Sequence, residues 1–119
     1  MKVAVNETNK ALSKLMQNLW LKKTGGSYPK LELLSQIEEI TFQKWLSGAR
    51  KIERSDLAKF VIGLSLDRET ADELFALQSH SLDYENNRFD FIVACAIRDK
   101  DDIEQFAKDV FTYCKFQLF

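Results

Sequence analysis

The stretch Ile37–Arg50, IEEITFQKWLSGAR, constrains this chain more than any other. Ile37, Thr41, Phe42, Trp45 and Leu46 recur at three- and four-residue intervals, which puts them on one face of a helix. Glu39, Gln43, Lys44 and Ser47 fall on the opposite face. Gly48 follows the last apolar residue, where helices commonly end in a left-handed turn that glycine enters without steric cost. A shorter apolar-periodic segment, Pro29 to Gln36, stands directly before this helix.

The remaining elements follow from the same periodicity. A helix from Thr8 or Asn9 to Lys23 buries Leu12, Leu15, Met16 and Leu19, with Asn6 or Thr8 as its cap and Lys22 and Lys23 complementing its negative end. Thr24–Ser27, with two adjacent glycines, is the most flexible link expected in the chain. Ser27 or Tyr28 then opens a short helix with Pro29 in its first turn. Leu31 and Leu34, with Leu33 as a further candidate, face inward. After the loop Ala49–Glu53, a capped helix near Arg54 and Ser55 carries Leu57, Phe60, Val61 and Leu64. Asp67 caps the next, with Ala71, Leu74, Phe75 and Leu77 inward. A polar connector from Gln78 to Asn87 holds the only histidine, His80, which is expected to be exposed. Two amphipathic helices follow, one with Phe89, Ile92, Val93 and Ala96 inward, the other with Ile103, Phe106, Ala107, Val110, Phe111 and Cys114.

This pattern is all-α. One proline and four glycines leave little for a turn-rich β-protein, and no strand-like alternation persists. A length of 119 residues suits one domain, and nine Phe with two Trp supply bulk for a core. Residues 1–78 form a five-helix bundle, and residues 79–119 a hairpin that packs on it or makes a dimer interface, because two helices cannot bury an apolar face alone. The apolar end, Phe116–Phe119, points to docking or to a homodimer that weakens when residues 116–119 are removed. Cys95 and Cys114 read as reduced core thiols of a cytoplasmic protein, with a disulfide as the alternative. No segment suits a membrane span or a secretory signal.

Two short helices with a tight joint, the second presenting a polar face, have the outline of a helix-turn-helix. Ile37 through Leu57 resembles the Cro/repressor-type (XRE-like) helix-turn-helix proteins. The features that carry the resemblance are Ile37, Phe42, Trp45, Leu46, Gly48, Arg50-Lys51 and Leu57. It continues through Asp72, and Asn86–Asp90 with the last helix resembles a C-terminal hairpin found in some of these proteins. Coverage runs from about residue 28 to 116. The resemblance implies a repressor-like five-helix bundle with a two-helix C-terminal extension, acting as a homodimeric DNA-binding transcriptional regulator on double-stranded DNA. It implies that Glu38, Glu39, Ile40, Gln43, Lys44 and Ser47 face the major groove. Gln43 would read adenine, Lys44 would reach guanine or a phosphate, and Glu39 would accept from cytosine. Arg50, Lys51, Arg54, Lys30 and Tyr28 would hold the DNA backbone.

Charge and departures from the family pattern keep a second reading open. Residues 1–54 hold ten Lys/Arg against five Asp/Glu, and residues 55–119 seven against thirteen. A basic half carrying the motif suits a polyanion, though the same split could simply help the halves dock. An ungapped match puts Glu32 where the family has a small residue and Gln36 where it often has glycine. Glu38 and Glu39 place two acids at the start of the recognition helix, which opposes attraction to phosphate. The rival reading is therefore a protein-interaction module that kept the scaffold and lost DNA. No phosphate loop, metal-ligand cluster or nucleophile–base pair is present, so no enzyme activity, metal or cofactor is expected.

Overall fold

A computed structural model describes residues 2–119, with side chains from Lys10 onward. Seven helices make up these residues: α1 (Lys2–Thr24), α2 (Tyr28–Ser35), α3 (Glu39–Ser47), α4 (Arg54–Gly63), α5 (Arg68–Gln78), α6 (Arg88–Asp99) and α7 (Ile103–Cys114). There is no strand among the described residues. α1 begins earlier than expected, because no Gly or Pro interrupts the chain between Lys2 and Asn9. The capping roles expected of the Asn6 and Thr8 side chains lie outside the described residues.

α4 is the centre. Leu57, Ala58, Phe60, Val61, Ile62 and Gly63 are all buried, so the helix is enclosed on nearly every side. It packs against α2, α5, α6 and α7. The C-terminal hairpin thereby joins the core that also contains Leu12 and Met16 of α1. α1 closes the other side of the bundle against α3 and α5.

The tightest joint is between α2 and α4. A Cβ placed on Gly63 would lie 2.5 Å from the Ser35 Cβ, 2.7 Å from its Cα and 2.8 Å from the Leu34 carbonyl oxygen. Ser35 is fully buried; its Oγ donates to the Leu31 carbonyl at 2.6 Å and accepts from the Ile37 N–H at 3.2 Å. The small residues that let these helices meet are thus Ser35 and Gly63, while Glu32 is exposed. Gln36 takes the left-handed conformation (φ 60, ψ 30) in which α2 ends, despite carrying a side chain.

Aromatic rings join α1 through α4. Trp20 packs on Tyr28 (centroids 4.6 Å apart) and on Phe42 (5.4 Å), and Phe42 stacks on Phe60 at 5.9 Å. Trp45 is buried beside Phe42, and Ser13 of α1 donates its hydroxyl to the Trp45 carbonyl at 3.0 Å. The Trp45 indole N–H finds no partner among the described residues. The Thr24–Ser27 link, expected to be flexible, is closed by hydrogen bonds. Thr24 donates to the Trp20 carbonyl at 2.6 Å and accepts from Ser27 N–H, and the Trp20 indole donates to the Ser27 carbonyl at 3.1 Å.

Three expected inward positions face out. Leu31 and Ser35, one turn apart, take the single face that α2 offers to α4, leaving Leu33 78% exposed and Leu34 at the surface. On α7 the buried row is Ile103, Phe106 and Val110, and Phe111 falls outside it. The C-terminal residues dock on their own chain: Leu118 is buried, Phe116 meets Phe89 edge-on at 6.4 Å, and the Lys59 ammonium lies 5.4 Å from the Phe119 ring centre.

Two substitutions test this packing by chemical denaturation. Gly63→Ala gains about 1 kcal/mol of helix propensity, but the clash with Ser35 backbone outweighs it, for a net loss of about 1–3 kcal/mol. Trp45→Ala costs about 3–5 kcal/mol; native fluorescence of Trp45 typical of full exposure would refute its placement.

Candidate functional site

α3 owes its orientation to Phe42 and Trp45, which are buried against α1 and α4, and to Ile37 at its entry. With that face fixed, Glu39, Ile40, Gln43, Lys44 and Ser47 are exposed along the outer edge. Gly48 ends the helix at φ 81, its N–H donating to the Trp45 carbonyl at 3.2 Å, and the Arg50 N–H turns back to the Lys44 carbonyl. Ile52 is buried and pins the loop, while Arg50 and Lys51 before it are exposed. The Ser47 hydroxyl donates to the Lys44 carbonyl at 3.2 Å, so part of its capacity is used locally.

At the start of α2, Ser27 accepts from the Lys30 N–H at 3.1 Å and leaves the Lys30 side chain in solvent. Tyr28 is half-buried with its ring on Trp20 and edge-on to Phe42. Packing accounts for its position. The outer edge thus brings Gln43, Lys44, Ser47, Arg50 and Lys51 onto α3 and the loop just after it, with Lys30 on α2.

Arg54, expected beside Arg50 and Lys51, is engaged away from that edge. Its Nε and Nη2 grip the two carboxylate oxygens of Asp90 at 3.0 and 2.8 Å. Nη1 donates to Gln78, Ser79 and the His80 carbonyl, and Nη2 also reaches the Ser81 carbonyl at 3.3 Å. The guanidinium lies 4.7 Å from the centre of the Phe75 ring. Asp90 is fully buried and further accepts from the Asp83 N–H at 2.9 Å. Burial pushes its carboxyl pKa up, but the Arg54 hydrogen bond, the Asp83 N–H and the Arg54 charge together carry it below the usual carboxylate range. The pair locks the start of α4 to the α5–α6 connector.

A group of acids lies next to the outer edge. Glu32, Leu33 and Gln36 of the α2 end, Glu39 of α3 and Glu104 of α7 line one open cleft with Tyr28 and Pro29. Glu104 enters from a helix remote in sequence, and no local pattern signals that it belongs there. Ile40, next to Glu39, is 58% exposed.

Cys95 and Cys114 are free, and burial raises the Cys114 pKa, which favours its thiol form. Among the described residues no group of His, Cys, Asp and Glu is placed to hold a metal ion, and no helix is long and apolar enough to cross a membrane. Comparison with protein families, curated proteins and solved structures finds no match for this chain.

The Arg54–Asp90 lock yields two measurable consequences. Arg54→Ala strands a buried carboxylate and costs about 3–5 kcal/mol, whereas Arg54→Met with Asp90→Leu costs less than Arg54→Ala alone. Because folding lowers the Asp90 pKa, its stabilisation is complete above the unfolded value of about 4 and is lost as pH falls through the folded value. Denaturation midpoints at graded pH should therefore fall in acid for the native protein more steeply than for the double variant.

Proposed function

We propose that the protein is a DNA-binding transcriptional regulator of the repressor-type helix-turn-helix class, acting in the cytoplasm. In this reading α1–α5 form the repressor-like bundle, with α2 and α3 as the motif and α3 as the recognition helix. The observation that carries it is the exposed edge of Gln43, Lys44 and Ser47, continued by Arg50 and Lys51, on a helix whose other face is locked in the core. Such a rigid amphipathic helix with a polar outer edge fits a major groove. Gln43 pairs with adenine through two hydrogen bonds, and Lys44 reaches guanine or a phosphate. Arg50, Lys51 and Lys30 hold the backbone.

A second reading, the protein-interaction module, is favoured by one specific observation. Glu32, Glu39 and Glu104 converge beside exposed Leu33, with exposed Ile40 next in the chain to Glu39, a surface suited to a partner with basic and apolar groups. The same carboxylates oppose phosphate in the first reading.

Retardation of random genomic DNA fragments at low and moderate salt separates the two. Gln43→Ala loses discrimination at one base pair, on the order of 1–3 kcal/mol, with the salt slope unchanged. Arg50→Ala weakens all sequences alike and lowers the salt slope by about one unit. Replacing Glu38, Glu39 and Glu104 by Gln strengthens non-specific binding. If neither the native protein nor this triple variant binds DNA at either salt, the DNA reading fails and the protein-interaction module replaces it.

A further inference from the structure

We infer that α1 is a second DNA-contacting element, in which Lys10 and Lys14 hold phosphates beside the C-terminal end of α3. The inference rests on the DNA reading and moves the weight of the contact away from the start of α3. As α1 is followed backwards from Trp20 to Ser13, its partner on α3 moves forward: Trp20 packs on Phe42, and the Ser13 hydroxyl donates to the Trp45 carbonyl at 3.0 Å. Lys10 precedes Ser13 by three residues and Lys14 by four, so the three share one strip of the helix. That strip lies on the side of the Gly48 turn, where the Arg50 N–H folds back onto the Lys44 carbonyl. Lys10, Lys14, Lys44, Arg50 and Lys51 are all exposed, and none forms an ion pair with a described residue.

The chemistry of this patch selects a polyanion. α3 ends here, which leaves the equivalent of about half a negative charge on its last carbonyls. One of those carbonyls, that of Trp45, already accepts from Ser13 and from the Gly48 N–H. The lysines and arginine around it carry full charges, so the patch is positive on balance. The start of α3 is the opposite, because Glu32, Glu39 and Glu104 gather there. A phosphate backbone is therefore drawn to the far end of α3 and to α1. No large hydrophobic side chain is exposed within residues 10–14 or 44–51. A protein partner needs an apolar centre, which this patch lacks, whereas phosphate contacts need only donors and charge.

The test is fluorescence anisotropy of a labelled random-sequence DNA duplex at several salt concentrations, with circular dichroism as the check on folding. Lys10→Gln with Lys14→Gln should lower the slope of log affinity against log salt by about two units, since each neutralised phosphate contributes about 0.9. Lys22→Gln with Lys23→Gln removes the same charge from the other end of α1, about 18 Å from Lys10, and should leave the slope native. If the Lys10 and Lys14 double variant keeps the native slope while Arg50→Ala lowers it, this inference is overturned and the DNA reading stands. Equal losses from the two lysine double variants also overturn it, because net charge rather than position then sets the affinity. If neither the native protein nor the variant with Glu38, Glu39 and Glu104 replaced by Gln binds the duplex at any salt, the DNA reading fails and this inference falls with it.

Discussion

α4 is a ten-residue helix held at both ends by contacts that tolerate little change. At its C-terminal end Gly63 lies against the backbone of Ser35, and that closeness is possible only without a side chain. At its N-terminal end Arg54 is fixed by the buried carboxylate of Asp90. Between these ends Leu57, Ala58, Phe60, Val61 and Ile62 are buried. α2, α5, α6 and α7 are positioned by packing on this one rod, so their relative placement depends on it. Burying a charge pair at one end costs desolvation that only the near-complete set of hydrogen bonds around Arg54 and Asp90 offsets.

The outer edge of α3 is a consequence of that arrangement. Phe42 stacks on Phe60 of α4, and the Trp45 carbonyl is tied to Ser13 of α1. With the inner face held this way, Gln43 and Lys44 have no inward option. The electrostatics of the surface divide along α3: carboxylates gather near its start, from α2, α3 and α7, while Lys44, Arg50 and Lys51 lie at its end and beyond. A polyanion approaching this surface meets attraction and repulsion within a short distance, and specific hydrogen bonds would then carry more of the affinity than counterion release does. A basic protein would meet the reverse.

The two apolar surfaces of the C-terminal region have different fates. Leu118 folds back onto the core and Phe116 packs on Phe89, so removing residues 116–119 would expose the chain's own interior. Phe91 and Tyr113 are half-exposed beside Arg88 and Asp109, which form no ion pair among the described residues. An apolar tail and an apolar groove look alike in composition; only the placement of each relative to the core tells them apart.

The sequence alone determined the all-α class, the core faces of α3 to α6, the Gly48 stop, the start of α2 at Ser27 or Tyr28 and the Asp67 cap. These depend on interactions within a few residues, where helical periodicity and hydrogen-bonding side chains act locally. α1 starts before its expected capping residues, because a missing breaker is a weaker local signal than a present one. The outward turn of Leu33 and Phe111 could not be read, because a short helix with several apolar residues permits more than one buried face. Only the tertiary structure decided which face was used. It alone also took Arg54 away from the surface edge to which its position in the chain assigned it, brought Glu104 beside Glu39, and matched Gly63 to Ser35. Each of these joins residues far apart in the chain. Local propensity carries no information about such a partner, whose identity is set by how the helices fit together in space.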